Sequence, residues 1–364
     1  MLRRDFIKTA GACVGATLLP SGLVQAAAAV GPKACYLPWK DGIGTFKWKQ
    51  KPPPYKIAFA NSFIGNDART EMIKISKAYA ARPEMQGLIK EFSASSSGND
   101  VSAQIAQFNQ LILGGIDAIV TDAASPTGIN SVISDAVDAG VLVISFDNVV
   151  TSEKAVLINH DQVEMGRVWA RFIAKETEGK GKILMVRGVA GTSGDEDFFR
   201  GGMDIFSKYP GLELVQVNGN WDQGTAQKVT ADVLATGAKF DGVWSEYGDT
   251  GVVRAFLQGP GKVPPIAGQA ENGFRKLAAE HKFPMMSAGV ALGLVALSMK
   301  AATDILQGVE VPQQVRVDLE QITTADLKPG VNYFPDLPDA FVASFDIPAC
   351  GLHFTTEEIL AQKS

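Results

Sequence analysis

The sequence predicts an α/β protein with two doubly wound parallel-sheet lobes and a ligand cleft between them. Three observations support this prediction. Strand and helix patterns alternate at close spacing from Lys56 to Leu306, several apolar strand runs end abruptly in polar residues, and the succession of units restarts after His160. Ligands of such sheets bind beyond the carboxyl ends of the strands, so the polar residues there are candidate site residues.

The stretch Val141–Asn148 is the clearest of these strands. It is an unbroken apolar run that closes on an aspartate and an asparagine, which is typical of a strand buried on both faces. A helix pattern precedes it, with Ser125 as its cap and Gly140 at its end. Before that helix, Ile116–Thr121 is a second short strand followed by Asp122. Together these segments form one βαβ unit.

The same reasoning assigns the other elements in chain order. The further predicted strands are Lys56–Asn61, Lys182–Val186, Leu212–Val217, Gly242–Ser245, Pro265–Ala267 and Met285–Val290. Leu157–Asp161 is predicted to be a crossing segment, and the regular pattern loosens after Val315–Leu319. The further predicted helices are Ala68–Arg82, Val101–Ile112, Val163–Lys175, Gly224–Ala235, Asp249–Leu257, Asn272–His281, Leu292–Leu306 and Thr355–Ala361. We expect a polar turn from Phe92, a long loop at Gly188–Gly194, and a surface-wrapping tail at Thr323–Pro348 with one possible strand, Phe341–Phe345.

The first 28 residues have the pattern of a cleaved export signal. Arg3 and Arg4 precede a weakly apolar, small-residue stretch, which resembles a twin-arginine signal, and alanines near Ala28 suit signal peptidase. A transmembrane helix is the alternative, but Pro20 and many small residues weaken its hydrophobicity. Removing this segment lowers the formal net charge from −5 to −7, so we expect neither nucleic-acid binding nor membrane insertion of the mature chain.

Residues 29–55 are rich in proline, lysine and tryptophan and predict an extended arm on the surface. Cys35 in this arm and Cys350 in the tail are the two cysteines that remain after signal removal. In an oxidising compartment they can form a disulfide between the two ends of the mature chain. Two buried thiols are the alternative.

The sequence lacks the patterns of common catalytic and metal sites. His160, His281 and His353 are not spaced for metal binding with one another or with cysteine. The glycine-rich segment at Gly191 matches neither a nucleophile elbow nor a phosphate-binding loop. We therefore expect a non-enzymatic protein without metal or cofactor.

Polar and aromatic side chains instead recur near strand ends in both halves. Carboxylates and amides accept hydroxyl protons, arginine donates in a rigid fork, and tryptophan can cover the C–H face of a sugar ring. Each residue alone can also be a helix cap or a solvated loop group. The candidate ligand-binding residues are Asn66, Arg69, Ser96, Asp122, Asp147, Asn148, Arg200, Trp221, Tyr247, Asp249, Glu271 and Asn272.

Five short motifs resemble those of periplasmic sugar-binding proteins of ABC importers, of the ribose-binding type. Their order and spacing carry the resemblance, which runs from Lys56 to Leu319. The motifs are Lys56–Asp67, Gly115–Val120, Gly140–Asp147, Gly188–Ser193 and Asp241–Trp244.

The resemblance implies two lobes joined by a three-segment hinge that closes on a sugar. The first lobe would comprise residues 56–160 and 290–320, and the second residues 161–289 with residues 321–364 as lobe and tail. By position, Asn66, Asp147, Asn148, Arg200 and Trp221 would bind the ligand. The chain departs from the family pattern around Tyr247 and Asp249, which bears on the identity of the ligand.

The expected function is capture of a sugar or polyol in the periplasm and its delivery, by a monomer, to an inner-membrane ABC permease. A carbohydrate-modifying enzyme on a doubly wound fold is one alternative, and a ligand sensor acting with a chemoreceptor is another. Transcriptional repressors share the fold but carry a helix-turn-helix where this chain has the export signal and the proline-rich arm.

Overall fold

The computed structural model describes residues 35–259 and 261–363. The predicted export signal lies outside these residues. Within the described ranges, no helix combines the length and hydropathy needed to cross a membrane.

Strands and helices alternate as the sequence predicts. The strands are β1 (Leu37–Pro38), β2 (Thr45–Phe46), β3 (Tyr55–Asn61), β4 (Ile89–Ser96), β5 (Ala118–Thr121), β6 (Leu142–Phe146), β7 (Val156–His160), β8 (Lys180–Arg187), β9 (Gly211–Asn218), β10 (Gly242–Ser245), β11 (Ile266–Gly268), β12 (Met285–Ser287), β13 (Val311–Pro312), β14 (Gln314–Val317) and β15 (Ile322–Thr323). The helices are α1 (Asp67–Ala80), α2 (Val101–Leu113), α3 (Asn130–Asp138), α4 (Gln162–Glu176), α5 (Ser193–Phe206), α6 (Gln223–Ala235), α7 (Asp249–Gln258), α8 (Asn272–His281), α9 (Leu294–Leu306) and α10 (Thr356–Leu360).

Two sheets form the cores of two lobes, which confirms the predicted fold class. The first sheet has the order β1-β14-β7-β6-β5-β3-β4, and the second β15-β12-β11-β10-β8-β9. All neighbours are parallel except the edge pairs β1/β14 and β12/β15. Strands β5, β6 and β10 are buried along their whole length, as their unbroken apolar runs predict.

Three segments cross between the lobes: β7 to α4, β12 to α9, and β14 to β15. The long apolar helix α9 follows the second crossing and packs on β5, β6 and β7, so it belongs to the first lobe. The tail begins on the second lobe, where β15 pairs with β12, but its last helix α10 packs against α1 of the first lobe. This differs from the expected grouping of residues 321–364.

The arm and the tail are joined to each other and to the first lobe. The structure pairs Cys35 and Cys350 in a disulfide. The arm contributes β1 to the first sheet, while β2 pairs with β13 in a separate two-stranded ribbon. Trp48 stacks on Phe46 with ring centroids 5.9 Å apart, so this tryptophan is a packing residue.

Four local predictions were wrong for identifiable reasons. The expected turn from Phe92 is part of β4, an edge strand whose solvent-facing positions are polar. The helix expected from Ser125 begins at Asn130, because Ser125 closes a turn by accepting the N–H of Gly128. Helix α5 starts within the expected loop, with Thr192 as its cap. Phe341–Phe345 is not a strand, although Val342 forms one bridge with Glu271.

Candidate ligand-binding cleft

A small cavity of ≈ 50 Å³ lies between the lobes, at the carboxyl ends of strands from both sheets. Polar side chains form one part of its wall and apolar or aromatic side chains the other. The lining residues are Asn66, Ala68, Arg69, Met72, Asp147, Asn148, Gln162, Gly194, Phe198, Trp221, Glu246, Tyr247, Gln269, Ala270, Val290, Leu292 and Val342. Six of the twelve predicted site residues are among them.

Arg69 is held between two carboxylates on the first-lobe side. Its Nη1 lies 2.6 Å from Asp122 Oδ2, and its Nη2 lies 2.6 Å from Asp147 Oδ2. Asn66 caps α1 by accepting the N–H of Arg69 at 3.0 Å, which places the arginine on the first turn of the helix. Burial raises the pKa of Asp122 to about 6, although the neighbouring Arg69 charge opposes the shift.

Asp147 follows β6 in a left-handed conformation, with φ of 55°. This conformation is uncommon outside glycine, although aspartate tolerates it better than most residues. Gln162 Nε2 donates to Asp147 Oδ1 at 3.0 Å, and Asn159 Nδ2 donates to its backbone carbonyl at 2.8 Å. The carboxylate therefore has a fixed orientation at the cavity wall.

Trp221 forms the aromatic wall on the second-lobe side. Asn220 and Trp221 both have positive φ, 55° and 53°, and two such residues in succession indicate a backbone held in place by its surroundings. The indole ring packs over Gly188, where a Cβ atom would overlap Trp221 Nε1. The missing side chain at Gly188 thus makes room for the ring.

A buried charge cluster binds the backbone of Gly188, the residue against which Trp221 packs. Glu246 Oε2 accepts the N–H of Gly188 at 2.9 Å, and Glu246 Oε1 lies 3.2 Å from Arg187 Nε. Arg187 also makes a two-pronged contact with Asp195, at 3.0 and 2.6 Å. Burial, and next the Asp195 charge, raise the pKa of Glu246 well above its usual range.

Two hydrogen bonds join the lobes across the cleft. Asn66 Nδ2 donates to the carbonyl of Trp221 at 3.2 Å, and the N–H of Gly194 donates to Asn148 Oδ1, also at 3.2 Å. Each pairs a polar side chain of the first lobe with a backbone group of the second lobe, in the turn before α6 at Trp221 and in the first turn of α5 at Gly194. The structure is therefore a closed arrangement of the two lobes.

Two buried polar atoms of the cavity wall have no hydrogen-bond partner within the described chain. They are Tyr247 Oη and Gln162 Oε1. Tyr247 is 7% exposed and Gln162 is 2% exposed, so bulk water does not satisfy them. Buried polar atoms are rarely left unpaired, so these two are candidates for hydrogen bonds to a polar ligand.

The other six predicted site residues lie outside the cavity lining. Asp122 is one layer behind Arg69 and also accepts from the Ser62 hydroxyl. Ser96 is at the end of edge strand β4, where its hydroxyl accepts the N–H of Gly98 at 3.4 Å. Arg200 is exposed on α5, whose helical start turns it away from the cleft, and it pairs with Asp197 at 2.7 Å.

Asp249, Glu271 and Asn272 hold loops together instead. Asp249 Oδ2 accepts the N–H of Gln269 at 2.8 Å. Glu271 caps α7 by accepting the N–H groups of Gly248 and Thr250 at 2.7 and 2.9 Å. Asn272 donates to the tail carbonyls of residues 334, 337 and 338. These three side chains thus bind other parts of the protein, although Asp249 Oδ1 has no hydrogen-bond partner among the described residues.

Sequence reasoning missed several lining residues. Gln162, Glu246 and Gln269 each lie within two residues of a strand end, so the rule that found Asp147 also applied to them. Met72 and Val342 gave no such signal, because an apolar residue in a helix or tail predicts packing rather than a site. Phe198 lines the cavity from α5.

His160 connects all three crossing segments. Its Nδ1 lies 3.0 Å from the carbonyl of Val317 in the third crossing, and its Nε2 accepts the N–H of Ala291 in the second at 3.1 Å. Both contacts are satisfied by a neutral imidazole with the proton on Nδ1. Burial lowers the pKa of His160 to about 4, which favours this neutral form.

No group of three or more histidine, cysteine or acidic side chains suited to hold a metal ion occurs in the part of the chain that the structure describes.

Two parallel-sheet lobes, three crossing segments and a polar cavity between strand ends define a binding protein that closes on a small solute. The family comparison is consistent with this class. A family model described as a periplasmic binding protein domain matches residues 57–310. The chain belongs to this family, whose members are binding proteins rather than enzymes.

The relatives are sugar- and polyol-binding proteins. The chain is 28% identical to a xylitol-binding protein of Mycolicibacterium smegmatis over 43% of its own length and 46% of the relative's. It is 24% identical to a D-ribose/D-allose-binding protein of Pseudomonas aeruginosa over 51% and 60%, respectively. These matches span about half of the curated relatives. A solved ABC transporter solute-binding protein of Thermobispora bispora has a TM-score of 0.70 and 28% identity, covering 73% of this chain and 84% of that one.

Proposed function

We propose that the mature protein captures an uncharged sugar or polyol in its cleft and delivers it to an inner-membrane ABC permease. The observation that carries the proposal is one cavity that combines a charge-balanced arginine, an aromatic wall and two unpaired buried polar atoms. These are Arg69, Trp221, Tyr247 Oη and Gln162 Oε1.

The electrostatics of the cleft favour a neutral ligand over an anion. The guanidinium of Arg69 already faces two carboxylates, Asp122 and Asp147, at 2.6 Å each. No net positive charge is therefore left on this side for a phosphate or carboxylate group. Hydroxyl groups can donate to Asp147 and accept from Arg69 at the same time, which suits this pair of residues.

Trp221 and the amides would complete recognition of such a ligand. The indole face can cover the C–H face of a ring or an extended polyol, while Asn66, Asn148 and Gln162 offer both donors and acceptors. The polyol, pentose and hexose ligands that name the two curated relatives have this chemistry.

Export and delivery are part of the proposal. Membership of a periplasmic family agrees with the export signal predicted in residues 1–28 and with a disulfide between Cys35 and Cys350. The mature chain would act as a monomer. A role as a ligand sensor for a chemoreceptor is compatible with the same closure of the lobes.

Thermal unfolding of the mature protein, with the chain starting at residue 29, tests the ligand class. The panel contains pentoses, hexoses and polyols, with amino acids and nucleotides as controls. A ligand at a hundred times its dissociation constant adds about 2.7 kcal/mol to the free energy of unfolding and raises the midpoint. A shift with sugars or polyols alone supports the proposal, whereas a shift only with the controls, or with nothing, contradicts it.

A further inference from the structure

A segment of the tail outside the family match forms part of the cavity wall. We call Phe341–Phe345 the strap. The family model ends at residue 310, yet Val342 of the strap lines the cavity beside Met72 and Leu292. Val342 is 3% exposed, so its side chain is part of the interior of the closed protein.

The strap is bound to both lobes and to the hinge. On the second lobe, the N–H of Ala343 donates to the carbonyl of Ala270 at 2.8 Å. At the second crossing, the carbonyl of Ser344 accepts the N–H of Leu292 at 2.9 Å. On the first lobe, Glu71 Oε2 accepts the N–H of Val342 at 3.1 Å. These contacts fix the position of the Val342 side chain when the cleft is closed.

Packing and a covalent link hold the strap from either side. Phe341 and Phe345 pack on each other and on Phe334, with ring centroids 5.7 to 5.9 Å apart. Shortly after the strap, the disulfide between Cys350 and Cys35 joins the tail to the arm. These restraints limit how far the wall can move, and a preorganised wall lowers the cost of binding a ligand that fits it.

The strap gives the cavity an apolar side, because Val342 is the strap residue in the cavity lining. The strap's hydrogen bonds place it against Ala270 and Leu292, which are apolar lining residues themselves, and Met72 and Val290 add two more apolar side chains to the lining. The polar side is formed by Arg69, Asp147 and the amides. A hydroxyl turned toward the apolar side would lose its hydrogen bonds to water without replacement, which disfavours such a ligand.

We propose that the strap is a specificity element and that Val342 selects ligands whose edge facing it carries no hydroxyl, such as a deoxy or methyl edge. This inference rests on the proposed binding of a sugar or polyol and narrows its class. It assigns a role in ligand choice to a part of the chain that the family match does not include.

Matched ligand pairs test the inference by calorimetry on the mature protein. The pairs are D-galactose and D-fucose, L-mannose and L-rhamnose, and D-ribose and 2-deoxy-D-ribose, in which the second member lacks one hydroxyl. We expect the second member of at least one pair to bind about five- to a hundredfold tighter. In Val342→Thr, which adds a hydroxyl at similar volume, this preference should fall at least fivefold.

Two further variants complete the test. Val331→Thr makes the same substitution at an exposed tail residue and should leave the preference unchanged. Val342→Ala removes bulk without adding a polar group and should retain the preference for the deoxy ligand. This variant replaces Val342→Thr if Val342→Thr fails to fold. If Val342→Ala is used in this way, the inference is supported when the preferred deoxy ligand binds at least fivefold more weakly than to the wild type.

Two outcomes would overturn the inference, and they are distinguishable. Equal or weaker binding of every deoxy member, or a Val342 variant identical to the wild type, removes the strap from ligand choice while sugar binding stands. Failure of the wild type to bind any member of the three pairs or the wider panel overturns the proposed function itself.

Discussion

Arg69 Nη2 lies 2.6 Å from Asp147 Oδ2, and this ion pair joins the first helix of the first lobe to the residue that follows its central strand β6. Both side chains are less than a tenth exposed. Because Gln162 Nε2 also donates to Asp147, the carboxylate links the first lobe to the first residue of α4, just beyond the first crossing. The pair thus connects the cavity wall with the first crossing between the lobes.

Asp147→Asn should weaken ligand binding by about 2–3 kcal/mol, since it removes a charged acceptor from a buried site. Asparagine accommodates the positive φ at this position, so we expect the fold to be retained. Calorimetry with the best ligand of the panel measures the loss. Asp138→Asn, at an exposed helix end, is the matched control and should bind as the wild type does. Unchanged affinity in Asp147→Asn would remove this carboxylate from the site.

Gly188→Ala should displace the Trp221 ring. A Cβ atom at residue 188 would overlap Trp221 Nε1 and lie 2.6 Å from Glu246 Oε2, and neither neighbour is free to move far. We expect at least a tenfold loss of affinity, about 1.4 kcal/mol, and a change in tryptophan fluorescence. Gly87→Ala has open space around its Cβ and should change neither. Wild-type affinity in Gly188→Ala would show that the ring position is not required.

His160→Gln should lower stability more at neutral than at acid pH. Burial lowers the folded-state pKa of His160 from 6.5 to about 4, with the charges of Asp147 and Asp318 opposing the shift. The unfolded chain therefore binds a proton before the folded chain does, and the contribution of His160 to stability is lost as the pH falls from 6.5 toward 4. The loss amounts to about 3 kcal/mol.

Urea unfolding of both proteins at pH 7 and pH 4 measures this effect. The difference between wild type and His160→Gln should be largest at pH 7 and should shrink by that amount at pH 4. A difference that does not depend on pH would mean that the imidazole is not held neutral at the hinge.

The stability of the Glu71→Gln variant relative to the wild type should increase as the pH rises. Burial raises the pKa of Glu71 to about 8 from 4.5. The folded protein keeps this proton where the unfolded chain has lost it, so the wild type loses stability between pH 4.5 and 8 and the glutamine variant does not. The gap between the two should change by on the order of 4 kcal/mol from pH 5 to pH 8. Exposed Glu84→Gln is the control, and an equal pH profile for Glu71→Gln would contradict the shift.

Reduction of the disulfide should destabilise the protein by roughly 2–5 kcal/mol, because the link constrains a very long loop of the unfolded chain. The unfolding midpoint should fall by several degrees. Thermal unfolding with and without reductant measures the change. The double variant Cys35→Ser/Cys350→Ser should unfold at the lower midpoint, and reductant should not change that midpoint. A wild-type midpoint that reductant does not alter would show that the cysteines are not paired in solution.

The sequence could predict the fold because each sheet strand is a local apolar run. Val141–Asn148 and Gly242–Ser245 are buried on both faces, and this leaves a continuous pattern that needs no knowledge of the neighbours. Edge strand β4 was missed for the converse reason. Its solvent face is polar, and the resulting mixture of residues is similar to that of a turn.

The site was predictable only in part, because local polarity does not tell a ligand contact from a loop contact. Asp147 and Glu271 are both carboxylates near strand ends, yet one lines the cavity and the other caps α7. The prediction for Arg200 depended on whether residues 193–199 form a loop or a helix, and the structure has a helix from Ser193. Val342 reaches the cleft only through the path of the tail, which no local pattern determines.

The route of the chain through the two sheets also sets an order of folding. Strands β3 to β7 come from residues 55–160 and strands β8 to β12 from residues 180–287. The first sheet also needs β14, residues 314–317, beside β7, and the second needs β15, residues 322–323, beside β12. Contacts between residues distant in sequence form slowly, because a long loop has to close before they stabilise the structure. Neither sheet can therefore be completed until the third crossing has emerged, because that crossing carries β14 into the first sheet and β15 into the second.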